Sequence, residues 1–202
     1  MIDSLFKVLY LLGVVAGWLL RKPFFNRLRR QGMLAVTDFD APKYMTSVER
    51  RLGILALIGI ILIPVIYLFA PWLDFADYDV PAWVGAVGVA IFAAGLWLQW
   101  RGRTDLGSNL TPTGVSREGA TLVTYGAYRY IRNPIYAGFW LQAIAQALLL
   151  HNWIAGLAGL VLLLPIYLYR VPREEQNLLE RFGKEYRVYM ARTGRVIPLL
   201  RR

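Results

Sequence analysis

The sequence predicts an all-α, polytopic membrane domain of five transmembrane helices. The last two form a helical hairpin, and a cytoplasmic amphipathic helix follows them. Three observations predict it. Hydrophobic residues make up 57% of the 202 and charged residues 18%, against about 45–50% and about 25% in ordinary soluble domains. The apolar residues fall in long uncharged blocks. Of the 23 Lys and Arg residues, all but Lys7 lie in three segments between or after those blocks. The length suits a single membrane domain, 1–202, with three N-terminal spans in 1–100 and a second half in 101–202.

Each element follows from its block. Ser4–Leu20 is the first span if Lys7 snorkels to the interface. The basic pair Arg21-Lys22 directly behind it reads as a stop-transfer flank rather than a cleaved signal peptide. Leu52–Leu73 and Val80–Trp100 are uncharged and each long enough for one helix, since about 20 residues cross roughly 30 Å of hydrocarbon. Asn133–Tyr169 is too long for one helix. It reads as a hairpin turning at His151-Asn152, with arms of about 17 residues and about 25 Å. Arg173–Met190 carries Leu178, Phe182, Tyr186 and Tyr189 at helical spacing, the apolar stripe of an amphipathic helix. Pro172 suits its start, and Glu174 and Glu175 would then sit in its first turn, where the helix dipole favours carboxylates.

Charge orients the chain. The segments 21–51 (including Lys43), 101–134 and 170–202 hold the cations, whereas 74–79 holds Asp74, Asp77 and Asp79 and none. The positive-inside rule places the basic segments in the cytoplasm, the N-terminus outside and the C-terminus inside. The net charge of +10 is then explained by topology and anionic lipid headgroups rather than nucleic acid.

Composition also excludes chemistry. Without cysteine there is no disulfide scaffold, thiolate metal site or cysteine nucleophile. With His151 the only histidine, a multi-histidine metal site is excluded, and no metal is expected. His151 itself reads as a solvated residue of the hairpin's outer turn. Gln142 and Gln146, four apart, read as helix–helix hydrogen bonds. So do the span glycines, Gly53, Gly59, Gly85, Gly88, Gly95, Gly156 and Gly159, as close packing. Trp72, Trp83, Trp97, Trp100 and Trp153 read as interfacial anchors. Trp140 lies inside a span, where packing or a lipid chain would meet it.

The polar chemistry gathers at one place. Gly126, Tyr128, Arg129, Arg132, Asn133 and Tyr136 crowd the mouth of the fourth helix, with Pro134 at its first turn and Asn133 as a natural N-cap. A hairpin returns its chain to the side it left. Arg132-Asn133 and Glu174-Glu175 must therefore meet at the cytoplasmic mouth of one helix pair. A paired carboxylate facing Arg, Asn and Tyr could hold ribose hydroxyls, a carboxylate and an adenine ring.

The run G-A-Y-R-Y-I-R-N-P-I-Y-A-G of Gly126–Gly138 resembles the isoprenylcysteine carboxyl methyltransferase family. That family has Gly-x-Tyr, then Arg-His-Pro-x-Tyr-x-Gly before a hairpin, then Glu-Glu and Phe-Gly-x-x-Tyr-x-x-Tyr. Here the latter are Glu174-Glu175 and Phe182–Tyr189. Val196-Ile197-Pro198, Leu106-Gly107 to Thr111-Pro112 and Glu118-Gly119 to Thr124 look like flanking family segments. The likeness covers roughly 100–198. It implies a membrane-embedded methyltransferase that uses S-adenosylmethionine, with a lipidic or prenylated substrate entering from the bilayer. On matching positions, Gly126, Tyr128, Asn133, Tyr136, Gly138 and Glu174 would bind the cofactor. Glu175 would lie close to that pocket and Arg132 beside the reacting carboxylate, and Arg132 and Glu175 are the catalytic candidates. Asn133 replaces the family histidine and cannot carry a proton at neutral pH.

The resemblance favours O-methylation of an isoprenylcysteine-like carboxylate. Phospholipid-amine and thiol methylation are the related alternatives, and either would need a base. A sterol-reductase-like oxidoreductase binding a nicotinamide cofactor and a non-enzymatic membrane protein are the readings from other classes.

Overall fold

The structure is a computed structural model that describes residues 2–30, 32, 45–110 and 119–199. Lys43, Thr111, Pro112 and Glu118 lie outside them. Among the described residues every long element is helical: α1 (Ile2–Arg30), α2 (Ser47–Leu57), α3 (Ile63–Phe69), α4 (Ala82–Leu106), α5 (Pro134–Leu150) and α6 (Trp153–Arg192). Four rods are long and apolar enough to cross a membrane: α1, the α2–α3 unit, α4 and α6. At 17 residues α5 is shorter, about 25 Å. It is packed between α4 and α6 and also touches α1. A helix sheathed in protein does not have to match the bilayer with its own length.

The apolar residues point outward as well as inward. Leu5, Val8, Leu12, Val15, Trp18 and Leu19 on α1 are all more than half exposed. An unpartnered apolar face of that length is what lipid, not water, covers. Trp72, Trp83, Trp97 and Trp153 are also more than half exposed, in keeping with interfacial anchors.

α2 and α3 are one rod interrupted by a π-helical turn, Ile58–Leu62. Pro64 is the cause, because it has no N–H for the carbonyl of Ile60. Tyr10 supplies the missing donor, its hydroxyl reaching Ile60 O at 2.5 Å. The Gly59 carbonyl, also released, accepts from Gln146 Nε2 at 2.9 Å. Gln146 Nε2 reaches Ala155 O as well, and Gln99 Nε2 donates to Gln142 Oε1 at 2.5 Å. The two span glutamines are thus the helix–helix links that the sequence suggested. Gly59, Gly85, Gly88, Gly95, Gly156 and Gly159 all sit where an added methyl would press on a neighbouring helix, whereas Gly53 faces open space. Lys7 Nζ lies over the Tyr67 ring, 4.1 Å from the centroid.

The hairpin turns at His151-Asn152 as expected. His151 takes a left-handed φ of 46°, and Asn152 caps α6 by accepting from the Ile154 and Ala155 amides. His151, however, is not solvated. It is 6% exposed, with Nδ1 3.2 Å from Asp3 Oδ1 and Nε2 2.9 Å from Leu148 O. The start of α1 and the loop after α3 close over the turn, and Asn152 Nδ2 donates to Leu73 O and Asp77 Oδ1 there. The N-terminus, the acidic loop and the hairpin turn thus share one end of the bundle.

The C-terminal helix also departs from the sequence reading. α6 continues through Pro165 and Pro172 as far as Gly183, about 45 Å, well beyond what a span needs. Its charged residues all fall in 170–192 and none in 153–169. Pro172 does not begin a helix, so the dipole of an N-terminal turn does not explain Glu174 and Glu175. The backbone breaks instead at Gly183, where φ is 51°, a region that glycine enters without a Cβ clash. Beyond it Tyr186 and Tyr189 of the apolar stripe are buried.

Candidate active site

The site lies at the end of the bundle opposite His151. The loop 119–133 is fastened there by Asp105, a buried residue in the last turn of α4. Asp105 Oδ2 accepts from the Ala127 amide at 2.8 Å, Arg101 pairs with Oδ1 at 3.1 Å, and Tyr125 donates its hydroxyl to Asp105 O. Gly126 makes this possible. Its φ is +60°, and any Cβ there would strike the Asp105 carboxylate.

The chain after α6 folds back across the mouth of α5. The amides of Arg132 and Asn133 donate to Gly194 O and Arg195 O at 2.8 and 2.9 Å. Asn133 occupies the N-cap position of α5, with Pro134 as first helical residue, but its side chain makes no cap bond. Its Nδ2 faces Glu175 Oε1 at 3.5 Å. The cap that the sequence suggested is therefore a position only, and the side chain points into the site.

Two carboxylates organise what remains. Glu175, 4% exposed, is gripped from both sides: Arg132 Nε reaches Oε1 at 3.0 Å, and Arg195 reaches Oε1 and Oε2 at 3.2 and 2.5 Å. Arg132 also donates from Nη1 to Met190 O and Thr193 O. Glu174 accepts from the Tyr136 hydroxyl at 3.0 Å and from Arg170 at 2.9 Å. Tyr128 is buried, and its carbonyl accepts from the Tyr189 hydroxyl at 2.7 Å.

Position thus brings Arg132, Asn133 and Glu175 into one cluster and Tyr136 with Glu174 into a second beside it. Gly138 joins neither. It faces α4, where an added methyl would meet Gln99 and the Gly95 carbonyl. Gly126 serves the loop's seat on Asp105 while also lining the groove described below.

Sequence reasoning missed Asp105, Arg170 and Arg195. Arg170 stands four residues before Glu174 on one helix, a pairing legible from spacing. Arg195 had no such signal, because only the folded-back tail brings it to Glu175.

The neighbouring glutamates titrate in opposite directions. Burial pushes the Glu174 carboxyl up, against the pull of Arg170 and Tyr136. Burial acts on Glu175 too, but the hydrogen bonds and charges of Arg195 and Arg132 outweigh it and leave that carboxyl below its ordinary value. The depressed group stabilises the fold above the unfolded carboxyl value, ~4.3. That contribution disappears as pH falls through the folded value, and the raised Glu174 acts with the opposite sign. The wild-type Tm in detergent is therefore expected to fall on acidification below about pH 4, with a shallower fall in Glu175→Gln. Equal acid limbs in the two proteins would show that Glu175 gains nothing from its arginines.

Next to these clusters a groove of ≈ 1040 Å³ opens along α4 and α5. Trp97, Leu98, Trp140, Leu141 and Ile144 form its walls, and Ile131, Val196, Ile197 and Pro198 its roof. Tyr167 is its inner partition. Its ring packs edge-on against Trp140 at 5.5 Å on the groove side and Tyr136 at 5.9 Å on the Glu174 side. Among the described residues no group of His, Asp and Glu could hold a metal ion.

The fold and the site together define a helical membrane protein that sets buried, arginine-paired carboxylates beside an apolar groove at one end of its bundle. Residues 83–185 match the phospholipid methyltransferase family, and the chain belongs to that family. It is similar to several isoprenylcysteine methyltransferases. Protein-S-isoprenylcysteine O-methyltransferase of Schizosaccharomyces pombe is 35% identical over 79 residues, 39% of this chain and 34% of that protein. The B enzyme of Arabidopsis thaliana is 28% identical over 120 residues, 58% of this chain and 61% of its own. The Mus musculus enzyme is 29% identical over 121 residues, 59% and 43%. The chain thus spans between about a third and three-fifths of the length of these curated relatives. The likeness read from Gly126–Gly138 agrees with them.

Proposed function

We propose that the protein is an integral membrane methyltransferase that uses S-adenosylmethionine to esterify the carboxylate of an isoprenylcysteine-like lipid. The observation that carries this is the junction of the apolar groove with the Arg132–Glu175–Arg195 cluster. The groove's Ile131 and Val196 are the chain neighbours of Arg132 and Arg195. A prenyl chain in the groove would leave its carboxylate against those guanidiniums, which orient carboxylates through paired hydrogen bonds.

The donor set suits the cofactor. Glu174 offers carboxylate oxygens for ribose hydroxyls, and Tyr128 and Tyr136 offer the aromatic faces that a sulfonium cation favours. Asn133 can both donate and accept. When bound, the cofactor supplies an activated methyl group and a good leaving group. The chain's own residues then position the acceptor. Arg132, held by Glu175 and two carbonyls through Nε and Nη1, has no partner on Nη2 among the described residues and could turn it to a substrate oxygen, with Arg195 beside it. A carboxylate is already ionised at pH 7 and needs no base. This favours it over an amine or thiol, because Glu175 is held by two arginines and is a poor proton acceptor. Gly126 and Gly138 take part as packing positions that let the loop and α5 reach the site.

The basic site end is proposed to face the cytoplasm, with α1 to α6 crossing five times and the N-terminus outside. The whole chain is one membrane domain on this reading.

The test is transfer of labelled methyl from S-adenosylmethionine to N-acetyl-S-farnesylcysteine by detergent-purified protein, read as a base-labile ester. No ester, with phosphatidylethanolamine methylated instead, would move the acceptor to a lipid amine. A bulkier groove wall should separate chain binding from chemistry. Ile144 lies 11 residues into α5, about 16 Å from Asn133. Ile144→Trp is expected to raise KM for the farnesyl substrate roughly tenfold, the effect of losing about 1.4 kcal/mol of binding, and to leave cofactor affinity within about twofold. An unchanged KM would remove the groove from the substrate's path.

A further inference from the structure

Arg21 and Arg103 stand apart from the clusters above. Arg103, on α4, is 8% exposed, and Arg21, in the C-terminal third of α1, is half-buried. Their guanidinium carbons lie 5.9 and 5.5 Å from the centroid of the same Phe139 ring on α5. The two positive charges thus share one ring. Neither has an acid within 4.0 Å among the described residues. Arg103 donates from Nη1 to Gln99 O and Gln99 Oε1, and Arg21 donates from Nε to Gly17 O. Every one of these acceptors is neutral.

Buried charges are normally paired. A lysine here could lose its proton, but a guanidinium cannot. Cation–π contact with Phe139 offsets only part of the cost of two like charges. Gly17 leaves the space beside Arg21 without a side chain, since even a methyl there would come within 3.3 Å of Nη2. The arrangement lacks one component, an anion.

We propose that Arg21 and Arg103 form a binding site for an oxyanion, a carboxylate or a phosphate, seated between α1, α4 and α5 at the basic end of the bundle. Two sources offer that chemistry at this level. One is the amino-acid carboxylate of the cofactor, because Arg103 stands two residues before Asp105, which seats the loop that carries Tyr128. The other is the phosphate of an anionic membrane lipid. The cofactor source rests on the methyltransferase reading, and the lipid source does not.

The experiment uses the full chain in detergent as wild type, Arg103→Gln and Arg21→Gln, each checked for helicity. In the first arm, calorimetry compares S-adenosylhomocysteine with 5′-methylthioadenosine, which lacks the amino-acid carboxylate. In the second, Tm is compared in lipid discs of phosphatidylglycerol and phosphatidylcholine. A carboxylate site weakens S-adenosylhomocysteine at least tenfold in both variants and leaves methylthioadenosine unchanged. A lipid-phosphate site gives wild type a higher Tm in phosphatidylglycerol, and both variants lose that gain. Either result supports the site. Variants matching wild type within twofold in the first arm, with the same lipid dependence in the second, overturn it. Wild type that binds neither nucleoside overturns the methyltransferase reading alone, and the lipid arm still decides the arginines. Should Arg103→Gln not fold, the more accessible Arg21→Gln carries both arms.

Discussion

Replacing Arg132 by alanine is expected to lower methyl transfer by at least about a thousandfold and to lower Tm as well. One guanidinium joins three parts of the chain. It pairs with Glu175 on α6 and donates to Met190 O and Thr193 O at the end of that helix. Breaking a buried ion pair by removing one partner costs about 3–5 kcal/mol. Here Arg195 remains on Glu175, so the smaller end of that range applies. The carbonyls of Met190 and Thr193 lose a charged donor too. The loss of activity has a second source, because the group that would orient the reacting carboxylate is gone, and orientation supports several orders of magnitude in rate. Arg132→Lys separates the two. It restores charge but not the fork that reaches a carboxylate and two carbonyls at once, so activity should stay down about a hundredfold while Tm largely recovers. Single-turnover methyl transfer alongside thermal unfolding measures both. Full activity in either variant would remove Arg132 from the site's chemistry.

Glu174→Ala should abolish calorimetric binding of S-adenosylmethionine at micromolar concentrations, with helicity unchanged. Hydrogen bonds to a charged group contribute about 1.5–3 kcal/mol each, so losing a carboxylate that on this proposal holds two ribose hydroxyls would weaken binding roughly a hundredfold or more. Arg170 and Tyr136 would also lose their shared acceptor. Tyr136→Phe is the graded comparison. It removes one neutral donor to Glu174 and keeps the aromatic face, so affinity should fall about tenfold or less. If Glu174→Ala binds as wild type does, Glu174 is a structural partner of Arg170 and the nucleoside lies elsewhere.

Much of the site was legible in the sequence because a hairpin must return to the side it left. That constraint alone joined Arg132-Asn133 to Glu174-Glu175 across more than 40 residues. Motif spacing did not disclose which face each residue takes. Tyr136 and Gly138 are two apart on α5, about 200° around the helix, so one meets Glu174 while the other packs on α4. Arg195 was invisible because its position depends on the tail crossing the mouth of α5, a non-local backbone pairing with no periodic signature.

The sequence by itself determined the apolar blocks, the segregation of cations, the turn at His151-Asn152 and the family likeness. All are local patterns or consequences of hydrocarbon as solvent, which penalises any exposed polar backbone. Only the tertiary structure decided the rest. It buried His151 beneath Asp3, and it carried α6 straight through Pro172. It let Tyr10 satisfy the carbonyl that Pro64 releases, and it set Arg195 on Glu175. Each of these depends on how distant parts of the chain pack, and no local pattern encodes what a side chain will meet once the helices have packed.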